Sequence, residues 1–458
     1  MPSGTQSTAV FRVRPGGSNL NGGGYDAGIS GAGTDYSQQD TAQLSLTDLA
    51  AAGSTAVITS ATGGFSNLMV GNAMWINSGT NFKAGIYWIV TYTSSGQVTL
   101  DRNPGTVLAT ACSSGAIKVG GGWRDFWTNA ASSVSGAPVA GNIVYIKGST
   151  TPNPSSYTYD YTNSGGFVGN GGDTNNGPIL YASDPTNGAG VYPVIKLTTN
   201  STMFYATDGI KISKLWWVAA TDLQNIIRMG SAPSGVDQCF FDSFGWDVTW
   251  LSVSRAIVTR NEFTTTQATR GFANNPVVDT IGGSCQILHN NFHGTSGTCI
   301  AIENGYGSYT IQFNLFSKCR KDCITTSFTG DGNQNIQFNT FDAPVGHGID
   351  VQGSFTWACT HISNNLFANV NGSGKKAINA TGAPAVNDKL KGVLDFNTFY
   401  NSNNYNTSSI TGGANDTTGG VDPFANQSTG DYTLTSTYKG VGCFPGGALP
   451  QVLTGNYG

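Results

Sequence analysis

ILHNNFHGTSGTCIAIENGYGSYTIQFNLFSKCRKDCITTSFTGDGNQNIQFNTFDAPVGHGIDV, residues 287–351, writes one pattern three times. The pattern is an aliphatic residue, two others, Asn, one more, then Phe: ILHNNF (287–292), IQFNLF (311–316) and IQFNTF (336–341). Working outward, VTRNEF (258–263) precedes these copies, and ISNNLF (362–367) and LDFNTF (394–399) follow them. The six asparagines, Asn261, Asn290, Asn314, Asn339, Asn365 and Asn397, are 29, 24, 25, 26 and 32 residues apart. Degenerate copies extend backwards as VDQCFF, with Cys239 in the Asn slot, and ISKLWW, with Leu215 there. Ten residues after three of the asparagines come Ile300, Ile324 and Ile349, each central to a short strand pattern.

Each segment alternates with period two and is too short for a helix. A single 25-residue unit cannot bury its apolar residues alone, so neighbouring units must stack. Stacking at about 4.8 Å aligns Ile287, Ile311, Ile336 and Ile362 in one internal column and Phe292, Phe316, Phe341 and Phe367 in another. The six asparagines then form a structural ladder at a turn, each amide bonded to its neighbours. The expected class is all-β: a right-handed single-stranded parallel β-helix, a solenoid, with an N-terminal cap and a small β insertion.

These repeats resemble the right-handed parallel β-helix of the pectate-lyase-like superfamily, whose Asn ladder occupies the same kind of turn. WRDFWTNA sets Trp123, Phe126, Trp127 and Ala130 on one helical face, and GNIVYIKG (141–148) follows as a strand. That order is similar to the superfamily's helical cap and opening coil. The expected organisation is a cap segment with a small β subdomain over 1–122, the parallel β-helix over 123–440, and a tail or cap over 441–458. Within the first segment DTAQLSLTDLAA reads as a short helix, and the stretches that follow it read as hairpin-linked strands. VDPFANQSTGDYTLTS (421–436) is similar to the final coil of many β-helix proteins.

Composition bounds the partners. Of 458 residues 63 are Gly, and only 10% are charged against an average of about 25%. Helices laced with ion pairs are therefore excluded as the main material. A net charge of −4 lacks the basic footprint that nucleic acid requires. No apolar run is long enough to span a membrane, and the N-terminus shows no secretory signal pattern. Eight cysteines carry no zinc-type spacing. They read as free buried thiols, and no disulfide is expected between Cys319 and Cys323.

Enzymes on the resembled fold hydrolyse or eliminate polysaccharides with clustered carboxylates, sometimes with calcium. The weak candidates here are Glu303 with Asp350, two coils apart but out of register, and His293 with Asp342, which share a slot two coils apart with Ser317 between them. Asp242 occupies that slot further back, and a structural polar column explains all of these. No catalytic residue, metal or cofactor is therefore expected. KCRKD (318–322) reads as a solvated turn, and Trp246, Trp250 and Trp357 lie outside the columns.

The opening segment and repeats also look like phage tailspike and capsid decoration proteins. That resemblance implies a homotrimer made in the host cytoplasm and displayed on the virion surface. It would contact other virion proteins and a host surface glycan. The alternative is an extracellular or phage-borne polysaccharide-degrading enzyme: a depolymerase, lyase or glycoside hydrolase.

Overall fold

The structure is a computed structural model. It describes residues 9–107, 110–148, 158–162, 167–173, 176–188, 191–198, 204–219, 226–231, 234–243, 251–265, 276–280, 283–303, 307–327, 334–352, 360–381, 394–406, 412–429 and 431–438. Trp246, Trp250, Trp357, Cys359, Cys443 and the 441–458 tail lie outside these residues. No described helix is long and apolar enough to cross a membrane. The chain divides into two compact units. One comprises Met1–Tyr159, Phe167–Val194 and Tyr205–Leu215, and the other comprises Asp160–Gly166, Ile195–Phe204 and Trp216–Gly458.

In the first unit Val10–Val13 pairs in parallel with Ile143–Ile146, which pairs in parallel with Ile179–Ser183. The β insertion is a closed six-stranded barrel running from Leu44–Ala51 to Cys112–Val119. Its interior is filled by Leu46, Leu49, Ile58, Met74, Ile76, Ile89, Val98 and Ile117. Leu44–Ala51 is thus a strand, which corrects the short helix read from DTAQLSLTDLAA. Its pairing shifts register between Leu46 and Leu49. That bulge supplies the extra residue that gave two buried leucines a helix-like spacing of three.

The cap is a single helical turn, Phe126–Asn129, started by Asp125, whose side chain accepts from the Thr128 N–H. Trp123, Phe126 and Ala130 are fully buried, and Trp127 is half-buried. Phe126 packs against Phe167 and Tyr181. Gly23 lies at φ 76° against the Trp123 indole, where a Cβ would meet Nε1 at 1.9 Å. Only glycine fits this loop.

The second unit is a parallel solenoid of three sheets. The first holds Ser234–Asp237, Ala256–Thr259, Cys285–Leu288, Tyr309–Gln312, Gln334–Gln337, Thr360–Ser363 and Leu394–Asp395. Its register places Val236, Val258, Ile287, Ile311, Ile336, Ile362 and Leu394 in one buried column. The second runs from Trp216–Ala219 to Thr417–Gly419 and stacks Phe241, Phe263, Phe292, Phe316, Phe341, Phe367 and Phe399. Neighbouring rings lie 4.6 to 5.4 Å apart and within 9° of parallel. The third runs from Ile227–Ser231 to Ile378–Thr381, and within it Val278, Ile300, Ile324, Ile349 and Ile378 are in register.

The chain bends from the first sheet to the second through one left-handed residue. Gln238, Arg260, His289, Phe313, Phe338, Asn364 and Phe396 have φ of 53° to 62°. Asn364 and His289 are of types enriched in this conformation, so the other five store more strain that the surroundings must offset. The next residue in the chain is the ladder position. Asn261, Asn290, Asn314, Asn339, Asn365 and Asn397 are buried, and each of the first five side-chain amides donates to the carboxamide oxygen of the next at 3.0 or 3.1 Å. That same oxygen also accepts the backbone N–H of the preceding asparagine, as Asn314 Oδ1 does from Asn290 N at 2.9 Å. Cys239 N begins the series by donating to Asn261 Oδ1. Asp416 ends it, accepting from Asn397 N at 2.8 Å.

Residues 421–436 do not make a final coil. Phe424–Asn426 and Asp431–Leu434 pair antiparallel, and Phe424, Leu434 and Tyr438 pack on Leu366 and Ala368 of the second sheet. The two strands are too close in sequence for the crossover that a parallel pair needs, so they close as a hairpin.

Candidate functional site

On the third sheet the inward residues are Val278 and Thr280, then Ile300 and Ile302 in the next strand. Strand alternation turns Asp279, Ala301 and Glu303 outward. Asp279, Ala301, Thr325, Asp350 and Asn379 share one outward column, and Glu303, Ser327 and Gln352 share the next. Asp279 and Glu303 are diagonal neighbours on adjacent strands, with Cα atoms roughly 8 Å apart from rung spacing and strand rise.

The two carboxyls have different surroundings. Glu303 is exposed. Asp279 is half-buried, and its Oδ1 is shut off from solvent with no hydrogen-bond partner among the described residues. Burial, and then the charge of Glu303, push the Asp279 carboxyl up to about 6. Asp279 therefore holds its proton into mildly acidic solution on the same face as the exposed side chain of Glu303, a pairing of the kind acid–base chemistry uses.

Proton linkage gives a test of this environment. Below the ordinary carboxyl value of 3.8 Asp279 is protonated in both folded and unfolded chains. As pH rises from there to about 6, the unfolded chain ionises first and the fold loses stability. The full penalty above that range is about 3 kcal/mol, or nearer 1 to 2 after solvent screening. Asp279→Asn is expected to be more stable than wild type in urea unfolding at pH 7.5, with most of the gain gone at pH 3.5. An equal difference at both pH values would mean that the carboxyl titrates normally.

The other sequence candidates are placed differently. Asp350 lies two strands and one column from Glu303, roughly 12 Å between Cα atoms, so this pair is not brought together. Asp350 is also buried and occupied. Its Oδ1 accepts from Asn379 Nδ2 at 2.7 Å and its Oδ2 from Gln352 Nε2 at 2.5 Å, while Asn406 Nδ2 donates on to Asn379 Oδ1.

His293, Ser317 and Asp342 do share a column on the second sheet, with Thr264 and Asp242 before them. His293 Nε2 lies 2.7 Å from Glu262 Oε1. Asp342 is fully buried. It accepts from Asn369 Nδ2 at 3.0 Å and from Gln427 Nε2 of the C-terminal hairpin at 2.5 Å. Burial raises its carboxyl above the ordinary range. These contacts make Asp342 an anchor for the hairpin.

In the KCRKD turn Lys318 is exposed, whereas Cys319 and Cys323 are buried. Cys112, Cys239, Cys285, Cys299, Cys319 and Cys323 are free thiols.

Sequence reading missed Asp279 and Asp416. The ten-residue offset from ladder Asn to third-sheet Ile holds after Asn290, Asn314 and Asn339. After Asn261, however, the matching Val278 comes seventeen residues on. The longer connection hid the register that puts Asp279 beside Glu303. Asp416 follows Asn397 at a spacing of 19, outside the repeat, and had no motif to mark it.

No family model and no curated protein matches the chain. Among solved structures it is similar to the catalytic unit of a thermostable GH87 α-1,3-glucanase from Streptomyces thermodiastaticus. The identity is 11% and the TM-score 0.24, over 83% of this chain and 88% of that one. It is also similar to the catalytic domain of a GH87 α-1,3-glucanase in complex with nigerose, at 10% identity and a TM-score of 0.20, over 82% and 92%. Similarity of this degree identifies neither a family nor an activity.

Proposed function

We propose that the outer face of the third sheet is a polysaccharide site at which Asp279 and Glu303 cleave glycosidic bonds. The observation that carries this reading is the half-buried Asp279 carboxyl, raised to about 6 beside exposed Glu303. Asp279 in its protonated form gives its proton to the glycosidic oxygen as the C–O bond breaks. Glu303 takes a proton from the water that attacks the anomeric carbon. Protons and charge balance over the turnover once Glu303 releases its proton to solvent and Asp279 takes one up. Thr325 and Ser327 on the next rung, and Gln352 on the one after, continue the face. A row of hydrogen-bonding groups along a solenoid axis suits a linear polymer.

The test is a reducing-end assay across a panel of bacterial surface and storage polysaccharides, using wild type, Asp279→Asn, Glu303→Gln and Asp350→Asn. Asp279→Asn and Glu303→Gln should each lower kcat/KM by at least a hundredfold. Asp350→Asn, whose oxygens serve neighbouring amides, should have a much smaller effect. Cleavage that survives both of the first two substitutions would refute the pair.

A second reading is favoured by a different observation, the unbroken ladder from Cys239 to Asp416, which gives a stiff solenoid. We propose on this reading a display role: a trimeric adsorption or decoration protein on a phage surface, holding a host glycan without cleaving it. Glycan binding with no product, together with localisation on imaged virions, would favour this role over the enzyme.

A further inference from the structure

Three cysteines that sequence spacing leaves unrelated meet inside the second unit. Cys299 and Cys323 directly precede Ile300 and Ile324, which pair in register, and Ile300 N donates to Cys323 O at 3.0 Å. Cys319 lies in the turn after the strand Leu315–Ser317 and points into the same corner. All three are completely buried. Their sulfurs lie within 4.8 Å of one another, and Cys299 Sγ and Cys319 Sγ are 3.0 Å apart. Thr295 Oγ1 is 3.2 Å from Cys299 Sγ.

We propose that Cys299, Cys319 and Cys323 form a three-sulfur site for a soft monovalent ion of the Cu(I) type. Metal–sulfur bonds of about 2.3 Å set the three sulfurs of a trigonal site about 4 Å apart. That spacing falls between the closest and the widest separations present here. Among the described residues no imidazole or carboxylate joins the group. An all-sulfur set of three disfavours Zn(II), which seeks a fourth ligand, and suits Cu(I). Binding replaces thiol protons by the ion: each sulfur that becomes a thiolate releases one proton to solvent, and no electron is transferred. Because the corner is closed, the ion enters as the chain folds.

The experiment is to produce the full chain in a reducing cytoplasm with and without added copper, and to measure copper per chain and the X-ray absorption edge. The expected result is one Cu(I) per chain with a sulfur-only first shell. Cys285→Ser, a buried thiol outside the group, should leave that ratio unchanged, whereas Cys319→Ser should bring it to background. A thermal midpoint that copper raises in wild type supplies the readout if Cys319→Ser fails to accumulate. A ratio unchanged in Cys319→Ser overturns the site. So does a nitrogen or oxygen shell, or a Cys299–Cys319 disulfide in the peptide map of protein grown with copper.

Discussion

Asn314→Ala is expected to lower the free energy of unfolding by about 4 kcal/mol. Asn314 is completely buried in the middle of the ladder. Its Nδ2 donates to Ile287 O at 2.8 Å, to Gln312 O at 3.0 Å and to Asn339 Oδ1 at 3.0 Å. Its Oδ1 accepts from Asn290 N at 2.9 Å and from Asn290 Nδ2 at 3.0 Å.

Not every partner is orphaned when the amide is removed. Asn290 Nδ2 keeps Val258 O and Leu288 O, and Asn339 Oδ1 keeps the backbone N–H of residue 314. Asn290 N is left without an acceptor in a dry interior, whereas Ile287 O loses this donor but stays within the ladder that pairs Ile287 with Ile311. One unpaired donor at about 1 to 3 kcal/mol, with the other lost hydrogen bonds at about 1 kcal/mol each, accounts for the estimate. Gln312→Ala is the comparison. Gln312 Nε2 donates to Gln337 Oε1 at 2.9 Å, but from the half-exposed outer surface, and such substitutions cost about 0.5 kcal/mol or less. Urea unfolding at matched m-values measures both. A loss under 1 kcal/mol for Asn314→Ala would mean that water or backbone movement replaces the ladder bonds.

The parts of this fold that were legible are those where one residue type recurs in one slot. Asn290, Asn314 and Asn339 follow one another at nearly constant spacing, because each rung solves the same steric problem at the same bend. The phenylalanines two places on recur because a flat ring of that size fits the rung spacing. What stayed hidden lies where chain length between slots varies or where a local spacing imitates another element. The bulge between Leu46 and Leu49 made a barrel strand look helical. The longer passage from Asn261 to Val278 concealed the neighbour of Glu303. The hairpin 424–434 contains strands of ordinary pattern, and only their pairing direction distinguishes it from a coil. Cys299, Cys319 and Cys323 come from different turns of the solenoid, so their meeting depends on stacking and turn geometry together.

The hexapeptide IQFNLF contains two phenylalanines, and they should respond to substitution in opposite ways. Phe316 is completely buried, with its ring 5.0 Å from Phe292 and 4.9 Å from Phe341 and within 9° of both. Phe316→Ala removes a large apolar group from a close-packed column and leaves a gap that two fixed rungs cannot close, a cost of about 4 kcal/mol. Loss of two ring contacts adds to it.

Phe313, three residues earlier, stands half-buried on the outer corner, stacked on His289 at 4.9 Å and Phe338 at 5.5 Å. Its backbone has φ of 62°, a conformation that costs a bulky residue about 1 to 3 kcal/mol and that Asn adopts more readily. Phe313→Asn gives up two exposed ring contacts worth about 0.5 to 1.5 kcal/mol each and relieves that strain. The expected net change is within about 1 kcal/mol of zero. Urea midpoints for the two variants should therefore lie far apart, with Phe313→Asn close to wild type. If Phe313→Asn costs as much as Phe316→Ala, the outer ring stack holds the bend, and the strain at φ 62° is offset by aromatic contact more than by the asparagine ladder behind it.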